Sequence, residues 1–239
     1  MIVTIHQPDF LPWLGFFDRW AKSDIYIVMD DVQYIKRGWH HRDKIKTQHG
    51  IQWLTIPARN KARYKQLINE VIIDDNSNWW KKHLNTIKAS YSKAPSYKYL
   101  SLKLEKIYKK GHTRMIDLNM DMLKLMASIF NITTPVVFSS SYGITSTSNE
   151  RLIDLVREVG GDTYLTGTGS RAYLDEKLFS NRRINVVWQE FKHPTYNQFY
   201  GDFKQGLSAI DFLMMQDIEN EQIKIPPFLF KIKDEIKEL

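Results

Sequence analysis

The stretch Ile2-Val-Thr-Ile-His-Gln-Pro-Asp-Phe-Leu-Pro-Trp-Leu-Gly-Phe-Phe-Asp-Arg-Trp-Ala-Lys-Ser-Asp-Ile-Tyr-Ile-Val-Met29 decides how the chain is built. Ile2 to Ile5 is a short apolar, β-branched run, Pro12 to Ala21 is amphipathic, and Ile25 to Met29 is a second apolar run. This reads as strand, loop, helix, strand. A crossover of that length joins parallel strands, so the loop holding His6, Gln7 and Asp9 is expected to open at the carboxyl edge of the sheet, where sites in open α/β sheets gather.

Outward from that unit the pattern continues. Asp30 to Gly50 is polar and basic, and Trp53-Leu-Thr-Ile56 resumes a strand closed by Pro57, which predicts a loop or β-ribbon over the site. Trp79–Tyr91, Leu100–Tyr108 and Met115–Ile129 carry apolar residues at helical spacing. Thr134–Ser139 is a strand pattern, and Thr147-Ser-Asn-Glu150 has capping-box spacing ahead of a helix that Gly160-Gly161 ends. Tyr164-Leu-Thr then delivers a small-residue turn, Gly167-Thr-Gly-Ser170, to the same edge, and Asn185–Gln189 is a further strand. The fold class expected is α/β: a mainly parallel sheet flanked by helices (Rossmann-like), with a helical insertion in the middle of the chain. One domain is expected over 1–218, with the helical segment around 79–130 and a weakly packed tail over 219–239.

Composition narrows the chemistry. The 239 residues are 43% hydrophobic and 13% aromatic, enough for a substantial core. No run of about eighteen apolar residues and no basic leader is found, so a cytoplasmic protein without a membrane span is expected. Cysteine is absent, which excludes disulfides, thiolate nucleophiles and cysteine-held metal clusters. Lys and Arg number 34 against 27 Asp and Glu, and the net charge of +7 biases the chain toward anionic partners such as nucleotides and phosphates.

The candidate site residues follow from these placements. His6 could act as a general base or contact a phosphate, or be a hydrogen-bonded structural histidine. Asp30 and Asp31 follow the second strand directly and could bind a cation or a sugar hydroxyl, or cap the next element. Arg37, Arg42, Lys44 and Lys46 with Trp39 form the best anion site in the chain, since guanidinium forks grip phosphates and an indole can stack on a base or sugar, the alternative being a solvated charge run. Gln7, Asp9 and Trp13 belong to the loop that two prolines stiffen. Gly167 and Gly169 could expose backbone N–H groups to a phosphate, although the spacing is neither a Walker loop nor a dinucleotide fingerprint. Tyr173, Tyr196 and Gln198 add hydroxyl and amide groups suited to a polar ligand. His40-His41 does not make a metal site, because adjacent side chains point apart, and no Gly-x-Ser-x-Gly elbow supports a serine hydrolase.

Taken together, Ile5-His-Gln-Pro-Asp-Phe-Leu-Pro-Trp-Leu-Gly-Phe-Phe-Asp18, Ser23-Asp-Ile-Tyr-Ile-Val-Met-Asp-Asp-Val-Gln33, the Arg37–Lys46 cluster and Trp53-Leu-Thr-Ile-Pro57 resemble the WbqC-like family. Asp162-Thr-Tyr-Leu-Thr-Gly167, Ala172-Tyr-Leu-Asp175 and Pro194-Thr-Tyr-Asn-Gln198 continue the likeness along nearly the whole chain. Thr166 departs from the serine that the family pattern carries before that glycine, and a hydroxyl is kept. The family is named for polysaccharide gene clusters, including O-antigen clusters, and has been proposed to include glycine transferases that acylate an amino sugar. The resemblance therefore implies an acyl or aminoacyl transferase acting on a nucleotide-linked amino sugar, with the candidates as site-lining residues; on their own chemistry His6, as the base that deprotonates the attacking amine, and Asp30 are the residues expected to be catalytic.

Two rivals stay open. A nucleotidyltransferase using ATP with Mg would suit the strand-loop-helix start, although its His-x-Gly-His pattern is missing. A nucleic-acid or sugar-binding protein without catalysis is prompted by the charge and the seven tryptophans, and ranks last.

Overall fold

The computed structural model describes residues 1–59, 65–219 and 222–223. Its first elements are β1 (Ile2–His6), α1 (Leu14–Ala21), β2 (Ile25–Val28) and an antiparallel hairpin of β3 (Arg42–Thr47) and β4 (Gly50–Thr55). Three helices follow: α2 (Trp79–Tyr91), α3 (Tyr97–Tyr108) and α4 (Met115–Ile129). The chain then runs through β5 (Val136–Phe138), α5 (Ser148–Glu158), β6 (Thr163–Thr166), α6 (Glu176–Asn181), β7 (Asn185–Trp188) and α7 (Ala209–Met214). A short hairpin, β8 (Ile218–Glu219) and β9 (Gln222–Ile223), lies at the start of the expected tail, whose residues 220–221 and 224–239 fall outside the described ones.

β1 and β2 pair in parallel, with Ile5 beside Ile27, as the opening stretch of sequence requires. The sheet order is β5-β2-β1-β6-β7, and every pairing in it is parallel. From β1 the chain winds outward through β2 to β5, then returns to the other edge of β1 and winds outward again through β6 and β7. The loops after β1 and β6 therefore diverge, and a crevice opens between them at the carboxyl end, the place where such sheets bind ligands. The fold is an α/β sheet flanked by helices, of Rossmann-like kind.

Period-two alternation assigns the faces. Val3, Ile5 and Ile27 pack with Ile153, Leu155 and Val156 of α5 and Phe179 of α6. Tyr26 and Val28 point the other way, into a cluster with Phe16, Phe17 and Trp20 of α1, the apolar faces of α2 to α4, and α7. Because both faces are covered, the strands read as unbroken apolar runs. Gly160 ends α5 at φ +77, a left-handed conformation that glycine adopts freely. Among the described residues no helix is long and apolar enough to cross a membrane.

The capping box expected at Thr147 is not formed. Thr147 is the residue before α5, but its side chain makes no capping hydrogen bond, and the Glu150 carboxylate lies 3.6 Å from Arg182 Nη2 rather than turning back to the helix start. Ser208, by contrast, is buried and its hydroxyl accepts from the Ile210 N–H at the start of α7. Ser208→Ala is expected to cost about 1 kcal/mol and Thr147→Ala less than about 0.5 kcal/mol, read as shifts of the urea midpoint. Equal shifts would count against this assignment of the caps.

Candidate functional site

At the crevice between β1 and β6 lies a cavity of about 1090 Å³, just above the usual range for small-molecule sites. Its walls come from the loop after β1, the turn after β6, the hairpin strand β3, the start of α5 and the segment after β7. The loop after β1 is held rigidly. Phe10 and Leu11 are fully buried, the Phe10 N–H donates to the Trp39 carbonyl at 3.0 Å, and Asn119 of α4 donates from Nδ2 to the carbonyls of Pro8 and His40, both at 2.7 Å. The helical insertion thus braces both the loop and the start of the hairpin that faces it.

His6 ends β1. Its Nδ1 lies 2.9 Å from the Gln7 carbonyl, which can only accept, so Nδ1 carries the proton and Nε2 keeps its lone pair. The same Nδ1 is 3.5 Å from Asp9 Oδ2, and Phe16 meets the ring edge to face at 5.2 Å. Loss of solvent and then the charge of Arg19 push the imidazole down to about 3, so His6 is neutral at ordinary pH. Asp9 moves the opposite way: burial raises its carboxyl to about 7, against the pull of Arg19. Asp43 of β3, on the facing wall, is raised to about 8 by burial even though it accepts the Lys44 N–H at 2.6 Å.

Arg19, like Asp43 and Arg151, is a charged residue of the cavity wall that sequence reasoning missed. It projects from α1 into the cavity with 8% of its surface exposed, and its Nη1 donates to Gln189 Oε1 at 3.1 Å. Gln189, at the end of β7, is fixed by bonds from its Nε2 to the Gly15 carbonyl at 2.8 Å and to Asp18 at 2.7 Å. The available signal was Asp18-Arg19, a pair of adjacent charges between Phe17 and Trp20 in a short helix; every residue from Leu14 to Trp20 is buried, so neither charge has a solvent face.

Of the expected site residues, His6, Gln7, Asp9, Trp13, Trp39, Lys44, Gly167, Gly169 and Tyr173 line this cavity. Trp13 lies edge-on to Phe191 and parallel to His193, covering Gly15 so closely that any side chain there would strike the indole. Tyr173 reaches Ser170 Oγ at 2.8 Å and Ser170 reaches Thr166 Oγ1 at 3.2 Å, so the turn after β6 is tied by hydroxyls. At the rim, Trp39 stands 5.6 Å from Trp53 with Lys44 5.9 Å from its ring.

The others stand elsewhere. Asp30 accepts from Ser139 Oγ, from the Ser140 N–H and hydroxyl, and from Asn69, beside a separate hollow of about 710 Å³. Asp31 pairs with Arg151 at 2.6 Å and accepts from Ser139. Arg37 is exposed at a left-handed position with φ +68, and Arg42 stacks on Trp53 at 4.3 Å. Tyr196 and Gln198 donate to Asp211 at 2.8 Å in a network that also takes in Tyr91 and Lys46, so they brace the fold beyond the cavity. Among the described residues no cluster of His, Asp and Glu is able to hold a metal ion.

The WbqC-like protein family matches residues 7–223. An uncharacterized protein of Mycobacterium tuberculosis (strain ATCC 25618 / H37Rv), Rv1507c, is 35% identical over 213 residues, which cover 88% of this chain and 92% of that one. No solved structure matches. The matched range takes in the lining of the cavity from Gln7 to Gly206, all of it but Ile5 and His6, and the chain belongs to the WbqC-like protein family.

Proposed function

We propose that this chain is a cytoplasmic transferase of bacterial surface-polysaccharide biosynthesis, which acylates or aminoacylates the amine of a nucleotide-linked amino sugar, with a glycyl group as one candidate. The observation that carries the reading is the cavity at the crevice between β1 and β6, roomy enough for a sugar nucleotide, with Asp9 in its wall titrating near neutrality.

In this reading the base is Asp9 rather than His6. A general base works best when its pKa lies near the working pH; Asp9 at about 7 meets that condition, while a histidine held at about 3 accepts a proton poorly. The sugar amine attacks the acyl carbon, the new C–N bond forms as the bond to the donor's leaving group breaks, and Asp9 takes the amine proton. His6 offers Nε2 as an acceptor that orients the incoming N–H. Trp39 and Lys44 at the rim suit the base and the diphosphate of the nucleotide.

The test is a thermal-shift panel of UDP- and dTDP-amino sugars, nucleoside triphosphates with magnesium, glycine, acyl-CoA and short DNA, followed by mass spectrometry of the sugar. Selective stabilisation by an amino-sugar nucleotide is expected, about 2.7 kcal/mol at a hundred times its dissociation constant, with an acyl mass gain once the donor is supplied. Stabilisation only by triphosphate with magnesium would replace this reading with nucleotidyl transfer, and stabilisation only by DNA with nucleic-acid binding.

A further inference from the structure

A guanidinium carries five N–H donors and a charge that is expensive to bury without a counterion. Arg19 is buried this way, yet among the described residues no carboxylate lies within ion-pair distance of it: Asp9 and Asp18 act on its charge only from beyond contact, and the hydrogen bond seen from it goes to the neutral side chain of Gln189. The adjacent carboxylate is engaged elsewhere: Asp18 sits 2.9 Å from Lys22 Nζ and accepts from Gln189 Nε2. Gln189 is clamped by its two Nε2 bonds so that its carbonyl oxygen must face Arg19, which orients the guanidinium without neutralising it. The turn after β6 leaves room for that orientation, since a Cβ added at Gly167 would lie 2.5 Å from Arg19 Nη1. Arg19, Gly167 and Gln189 all face the same cavity.

We infer that the floor of the crevice between β1 and β6 is an anion subsite in which Arg19, held by Gln189 and cleared by Gly167, binds a phosphate or carboxylate group of the substrate. This deepens the proposed function and rests on its reading that the cavity is the substrate site. Gln189 is a positioning residue, and Gly167 is required for its lack of a side chain rather than for its backbone conformation.

The probes are inorganic pyrophosphate and acetate, titrated calorimetrically into the full chain in chloride buffer of matched ionic strength. The wild type is expected to bind at least one of them; pyrophosphate alone assigns the subsite to a phosphate, acetate alone to a carboxylate. Arg19→Gln is expected to weaken that binding at least tenfold, and Gly167→Ala to do the same with the charge still present, whereas Lys88→Gln on an exposed helix face removes one charge without effect. Because Gly167→Ala keeps Arg19, it gives an answer even if Arg19→Gln folds poorly. Undiminished binding in Gly167→Ala and in folded Arg19→Gln, or no binding of either probe by the wild type, overturns the subsite. Pyrophosphate binding lost in these variants, in a protein that acylates no amino sugar, would leave the subsite standing and remove the transferase.

Discussion

Asp9→Asn is expected to lower the rate of acyl transfer by about 10²- to 10⁴-fold, the range a positioned general base supplies, while leaving the fold intact. Asn keeps the size of the side chain and loses the acid. The wild-type rate is expected to rise as pH passes upward through about 7, where Asp9 becomes a carboxylate, and the residual rate of the variant to lack that rise. Stability should move in the opposite sense. The carboxyl is raised in the folded chain from 3.8 to about 7, so the fold favours its protonated form. That contribution is fully present below about pH 4 and is lost as pH climbs through 7, by up to about 4 kcal/mol. Asp9→Asn should therefore gain on the wild type between about pH 4 and pH 7 in urea unfolding and hold that gain above it. A wild-type rate profile flat across pH 7 would remove Asp9 as the base.

Asn119→Leu carries the largest stability effect expected from a single polar residue. Asn119 is buried in α4, and its Nδ2 serves the carbonyls of both Pro8 and His40. Leucine keeps the branching at Cγ, is bulkier, and leaves two carbonyl oxygens without that donor, at about 1–3 kcal/mol each, so a loss of about 2–6 kcal/mol is expected in urea unfolding. Activity should fall too, since Asp9 follows Pro8 and Trp39 precedes His40; a shift of about 1 Å at the reacting groups can cost about a hundredfold. If the unfolding midpoint of Asn119→Leu stayed at the wild-type value, the bracing of the loop by α4 would be wrong.

The sheet and its helices were legible because apolar periodicity reports which face of an element is buried. Trp79–Tyr91 and Met115–Ile129 carry helical spacing from end to end, and both are helices with those bounds. The loop after β1 was placed at the carboxyl edge from the strand-helix-strand pattern alone, and Gln7, Asp9, Trp13 and His6 do line the cavity there. What periodicity does not carry is which side chain meets which. Asp9 and Asp30 are both acids at the end of a strand; one faces the cavity, and the other is occupied by Ser139 and Ser140, which lie 109 and 110 positions along the chain. Arg19 acquires its meaning from Gln189, 170 positions away, and Tyr196 and Gln198 lose theirs to Asp211. Thr147 failed for a nearer reason, since Arg182 lies beside the glutamate its cap required.

The placement of β1 between β2 and β6 has a cost during synthesis. Thr4 donates to the Leu165 carbonyl across 161 residues of chain, and β6 is the strand that closes the second edge of β1. At translation speeds of about 5–20 residues per second, β1 waits roughly 10–30 s on the ribosome with that edge open. Ile2-Val-Thr-Ile5 is apolar and β-branched, the composition most ready to pair with a neighbouring nascent chain. Arg19 and Asp9 are likewise left without their walls until Gln189 has emerged, so the cavity is completed late in synthesis, and the yield of protein in cells should depend on what shelters the first strand until then.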